Sequence, residues 1–161
     1  MAKLNYFILF LIIIFSCSQK KTEERRVEKI FAYGITLTKE SSPKEVANLL
    51  IKGLDNEDEE LLKKLVAVNY EIKELTKIFK EHGKKVKIKK EDVIDLTVSG
   101  WLLTYTFFEK GKTRVIEEEI EGDFAYVYAS GIKPNGKERT IEIRMVKEEG
   151  FWKIQAGLKE Y

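Results

Sequence analysis

The feature that most constrains this chain is a change of hydrophobic period near residue 86. Before it, apolar residues recur three and four positions apart. Val46, Leu49, Leu50 and Leu54 form one such set, Leu61, Leu62, Leu65 and Val66 a second, and Ile72, Leu75, Ile78 and Phe79 a third. That spacing gathers side chains on one side of a helix. After it, apolar and polar residues alternate, most clearly over Phe124–Gly131 and Glu138–Lys147, which sends successive side chains to opposite faces of a strand. Helices followed by strands define an α+β domain, with N-terminal helices packed on an antiparallel sheet.

Local chemistry sets the expected boundaries. Ser42-Pro43-Lys44-Glu45 is a helix start, with Ser42 as cap, Pro43 at the first helical position and Glu45 completing a capping box. Asp55–Glu60 opens a second helix with acids in the first turn, where the helix dipole favours them. Asn69 is expected to cap a third helix, which Gly83 stops. The expected strands are Val86–Lys89, Val93–Ser99, Trp101–Phe108, Arg114–Glu121, Phe124–Gly131, Glu138–Lys147 and Phe151–Gly157, with Glu91–Leu96 alternatively a helical turn. Glu109–Lys112, Glu121–Asp123, Pro134–Gly136 and Glu148–Gly150 carry turn chemistry between them. Ile30–Thr38 reads as a short strand or an extended segment packed on the domain.

Ahead of the domain, Lys3 and the apolar run Tyr6–Phe15 have the form of a signal-peptide n-region and h-region. The run is about half of what a bilayer-spanning helix needs. Ile14-Phe15-Ser16-Cys17 follows at once and resembles the bacterial lipoprotein box, although Phe15 stands where a smaller residue is usual. The resemblance implies cleavage between Ser16 and Cys17, a diacylglyceryl group on the Cys17 thiol, and an acylated new amino terminus. Residues 1–16 are then a signal peptide, 17–29 a lipidated flexible tether, and 30–161 a single domain. Three other readings stay open: an uncleaved anchor, ordinary cleavage after Ser18, or a buried element of the domain. Cys17 is the one cysteine of the chain, which leaves no disulfide. Ser18–Lys29 is charged and without apolar period, as a solvated linker is. The implied place is a bacterial cell envelope. Ser18 lacks the aspartate that marks inner-membrane retention, so the outer membrane is favoured if the host has one.

The order of elements, with Ser42-Pro43-Lys44-Glu45, the helix-ending Gly53-Leu54-Asp55 and the closing Gly150-Phe151-Trp152-Lys153-Ile154, resembles the nuclear-transport-factor-2-like, cystatin-like superfamily. It is similar more narrowly to small bacterial lipoprotein domains of that superfamily with no assigned function. The resemblance spans about residues 42–156 and implies a curved sheet wrapped around helices, leaving a cone-shaped hollow that relatives use for ligands or catalysis. Val127, Ile141, Ile143, Met145, Trp152 and Ile154 would line that hollow or, more simply, fill the core. Phe124, Tyr126 and Tyr128 alternate with Ala125, Val127 and Ala129, which stands the aromatics on the other sheet face, a surface for dimerisation or for cross-strand pairing.

Catalytic and metal chemistry find little to work with. His82, the single histidine, precedes Gly83 at a helix end, where it complements terminal carbonyls. A lone histidine and a lipidated cysteine make neither a triad nor a zinc site. Asp55–Glu60 lacks calcium-loop spacing. Asp92 or Asp95 with Tyr105 is the one acid–base pairing worth naming. No cofactor is implied. Lys84–Lys90 reads as a solvated run guarding a sheet edge, with anionic headgroups as an alternative contact. Charge is plentiful but balanced, 29 basic against 27 acidic residues, which gives no general attraction for nucleic acid. The expected role is a membrane-anchored binding or protein-interaction module, partnered by a second copy or an envelope protein. A small apolar-ligand binder using the cone is the alternative, and an enzyme of the same fold comes after it.

Overall fold

The computed structural model describes residues 29–161, so the signal segment, the Ser16–Cys17 junction and the tether up to residue 28 lie outside the described residues. The chain runs β1 (Ile30–Ala32), β2 (Ile35–Leu37), α1 (Pro43–Asp55), α2 (Glu59–Leu65), α3 (Val68–Glu81), α4 (Lys90–Tyr105), β3 (Arg114–Glu121), β4 (Phe124–Ile132), β5 (Glu138–Glu148), β6 (Phe151–Ile154) and β7 (Lys159–Glu160). Helices precede an antiparallel main sheet, so the α+β class read from the change of period is the class observed.

Ile30–Thr38 is a hairpin. β1 and β2 pair from Ile30 opposite Leu37 to Ala32 opposite Ile35. Tyr33 (φ 51°) and Gly34 (φ 75°) both take the positive dihedrals that a tight hairpin turn requires. α1 starts as expected. Ser42 Oγ accepts from the Glu45 N–H at 3.2 Å, and the Glu45 carboxylate accepts from the Ser42 N–H at 2.7 Å. Glu118, from distant β3, accepts the Lys44 N–H at 2.9 Å and adds a negative charge at the same helix end.

The period changes later in the chain than expected. Val86–Lys89 forms no strand, and the segments Val93–Ser99 and Trp101–Phe108 belong to helix α4 and the turn after it. Val93, Thr97, Val98, Trp101 and Tyr105 recur at helical spacing and are the buried side. The pattern was obscured because the other side is apolar as well, with Leu96 74% and Leu103 67% exposed. A helix apolar all round shows no stripe, and its valines, threonines and isoleucine bias a reading toward strand.

Helix starts are corrected too. α2 begins at Glu59 with the Asp58 carboxylate accepting the Leu61 N–H at 3.1 Å, because α1 continues through Asp55. α3 begins at Val68 behind Ala67, and Asn69 is not its cap. The Ala67 N–H donates to the Ile154 carbonyl at 2.8 Å, and the Tyr70 N–H donates to the Glu148 carboxylate at 2.6 Å. A carboxylate from β5 thus does the work of the missing local cap.

The main sheet has the order β3-β4-β5-β6, and β7 joins β5. Register places Val127 opposite Ile143, Ala129 opposite Ile141, and Met145 opposite both Ala125 and Ile154. These residues share a core with Leu49, Leu50, Leu62, Leu65 and Trp101 from the helices. Gly131 on β4 lets Phe108 approach, since a Cβ there would lie 2.6 Å from Phe108 Cδ1.

Candidate functional site

The six residues expected to line a hollow are brought together. Val127, Ile141, Ile143, Met145, Trp152 and Ile154 all lie in the central core, and none is more than 7% exposed. They are packed against helix side chains, and none borders the clefts described below.

The aromatic row stands on the opposite sheet face, where alternation places it. Ala125, Val127 and Ala129 are buried, Tyr126 and Tyr128 are half-buried, and Phe124 is 40% exposed. β5 continues this face with Val146, Arg144 and Glu142, directly opposite Phe124, Tyr126 and Tyr128. Tyr70 of α3 meets the Phe124 ring edge-on at 6.0 Å, so one end of the row is partly covered. Glu142 is a buried carboxylate, and it lies on this outer face rather than in the core. Arg144 Nε donates to its Oε1 at 2.6 Å and the Tyr161 hydroxyl donates to its Oε2 at 2.7 Å. Burial alone would raise the Glu142 carboxyl; these hydrogen bonds outweigh it and hold the group below its ordinary value. The sequence reading found the aromatics but missed Arg144, Glu142 and Tyr161. Their alternation with Ile141, Ile143 and Met145 was visible, and the chain-terminal Tyr161 had no signal.

A second cluster joins the C-terminal ends of α1 and α4. Tyr105 does not meet Asp92 or Asp95. It lies thirteen helical steps beyond Asp92, about 20 Å of rise, and Asp95 sits 3.5 Å from Lys63 Nζ instead. Its partner is Asp55, whose Oδ1 accepts from the Tyr105 hydroxyl at 2.8 Å and from the Gly111 N–H at 2.9 Å. Lys110 and Glu57 pair at 2.6 Å beside them. A cleft of about 370 Å³ opens here between Leu54, Leu102, Tyr105 and Phe108. Burial, with the Asp55 carboxylate at its hydroxyl, pushes the Tyr105 phenol well above its usual range. The phenol is therefore a fixed donor that ties two helix ends to the Lys110-Gly111 turn, not a group poised to give up its proton.

The third feature is the far end of α3. His82 caps the helix, its Nδ1 2.8 Å from the Ile78 carbonyl. Gly83 (φ 69°) turns the chain back, with the Gly83 N–H bonded to the Lys80 carbonyl and the Lys84 N–H to the Phe79 carbonyl. This is the paired 5→2 and 6→1 bonding of a Schellman ending. It lays Lys84–Lys87 beside Thr76, Phe79 and Lys80 around an open cleft of about 620 Å³. Lys84–Lys89 is thus a helix-following loop, with Lys90 opening α4, and the run Lys84–Lys90 guards no strand edge, which corrects the sequence reading.

Fold and surface together define an α+β domain with a packed core and a polar-aromatic outer sheet face. No protein-family model and no curated protein matches the chain. Among solved structures it is similar to a DUF4783 family protein from Bacteroides ovatus ATCC 8483, with a TM-score of 0.43, 11% sequence identity, and coverage of 70% of this chain and 93% of that one.

Proposed function

We propose that the chain is a lipoprotein of a bacterial cell envelope, anchored through lipid on Cys17, whose domain is a protein-interaction module pairing with a second copy through the outer sheet face. The observation that carries the interaction half is the row Phe124, Tyr126 and Tyr128 set against the Arg144–Glu142 ion pair on a face turned away from the core. A partly exposed aromatic row beside Arg144, whose charge Glu142 already balances within the chain, suits a two-fold contact in which the same patch packs on itself. The anchor half rests on Ile14-Phe15-Ser16-Cys17 behind the apolar run. The nuclear-transport-factor-2-like cone belongs to the same reading, and the packing of its six candidate lining residues favours an interaction surface over an apolar-ligand pocket. Light scattering of the detergent-solubilised chain should give a dimer, and Tyr126→Glu should give a monomer. A wild-type chain that stays monomeric at high concentration contradicts the pairing.

A further inference from the structure

α3 is amphipathic over fourteen residues, yet none of them is buried. Ile78 on its outer end and Val86 in the following loop are each 49% exposed, and Phe79 and Val86 border the same cleft. Lys80, Lys84, Lys85 and Lys87 border the same cleft, and residues 77–90 hold seven lysines, with Lys77, Lys89 and Lys90 beside these four, against one acid, Glu81, before Glu91 and Asp92 follow in the first turn of α4. Among the described residues none of these lysines is in an ion pair, although Lys63, Lys110 and Lys133 each are. The overall charge of +2 hides this local excess, because most of the acids that balance it lie elsewhere in the chain.

We infer that the end of α3 and its lysine loop form a docking surface for an anionic phospholipid bilayer. Exposed apolar side chains ringed by lysines match a membrane interface, where the apolar groups enter the headgroup boundary and the ammonium groups meet lipid phosphates. Lysine stems lie along apolar surface while their charged ends reach outward, which the borders of the cleft provide. A nucleic acid or an acidic protein would use the charge but leave Ile78, Phe79 and Val86 without a partner. The inference rests on the anchored reading only for bringing the bilayer within reach; the docking surface then sets how the domain sits on it.

The test uses the full acylated chain carrying Val86→Trp, with the native Trp101 and Trp152 buried and silent to lipid. On phosphatidylcholine vesicles containing phosphatidylglycerol, the reporter emission should shift to shorter wavelength and be quenched by brominated acyl chains. On phosphatidylcholine alone it should stay water-like. Adding Lys84→Glu, Lys85→Glu and Lys87→Glu should abolish the shift, each lysine lost weakening docking roughly five-fold, while the protein still floats with the vesicles through its anchor. A reporter that stays water-like on phosphatidylglycerol, in protein that floats, overturns the docking surface. So does a shift raised by heparin or an acidic protein and not by the vesicles. Loss of flotation on phosphatidylcholine overturns the anchor instead, and flotation that then depends on phosphatidylglycerol still supports docking. A chain that floats on neither overturns both.

Discussion

α1 and α3 are nearly equal in length, thirteen and fourteen residues, and each carries an apolar stripe, but α1 buries eight residues where α3 buries none. The difference lies in their neighbours. α1 is held against β3, β4 and α2 and supplies Leu49, Leu50 and Leu54 to the core. α3 is attached near its start, through Tyr70, Glu71 and the Glu148 carboxylate, and packs on α4 but leaves its side chains short of full burial, with Ile78 and the lysine loop exposed at its far end. A hydrophobic stripe therefore specifies a helix with one wet and one dry side, and leaves open whether the dry side meets the protein's own core or another phase.

The largest effect that sharpens this contrast is truncation within each stripe. Leu50→Ala should cost about 2–5 kcal/mol, since Leu50 is fully buried and a core closes only partly over the space left by a truncated side chain. Ile78→Ala should stay within about 0.5 kcal/mol. Urea unfolding of the two variants measures both, and equal losses would break the comparison. The same contrast recurs at two glycines. Gly131→Ala forces a Cβ against Phe108 and should destabilise by about 1–3 kcal/mol. Gly100 lies within α4 with nothing near its missing Cβ, so Gly100→Ala should stabilise by about 0.5–1 kcal/mol. Opposite signs in thermal melts would confirm that space, not residue type, decides.

The smallest effect concerns the attached end of α3. Glu71 accepts the Ala156 N–H at 2.7 Å, and burial, aided by Glu74 and Glu148, raises its carboxyl above the ordinary 4.5. A carboxyl raised in the fold stabilises the folded state below its unfolded value and loses that contribution as pH climbs through the folded one. Glu71→Gln keeps an oxygen for Ala156 and removes the slope. The variant should gain stability at pH 7 relative to wild type and gain nothing at pH 4, as urea titrations at the two pH values would measure.

The legible parts of this fold are those with local causes. The capping box at Ser42, the turns at Gly122 and Gly136, and the alternation along β4 and β5 all act within a few residues, and each stands where it was read. α4 was misread because its outer face is also apolar, so periodicity carried no sign of which side was buried. The start of α3 and the Tyr105–Asp55 bond depend on partners 78 and 50 residues away, which no local pattern announces. The candidate surfaces divide likewise. The aromatic row was visible as alternation, while the exposed end of α3 became visible only once Val86–Lys89 proved to be a loop beside Phe79.

In the proposed reading, lipid on Cys17 is what would hold the domain and both proposed surfaces at a membrane. Incorporation of radiolabelled fatty acid into the full chain, with detergent-phase partitioning beside it, addresses this most directly. The account predicts label in the wild-type protein and none in Cys17→Ala, with the variant leaving the detergent phase. Label that persists after Cys17→Ala, or a wild-type chain that takes up none, would contradict it.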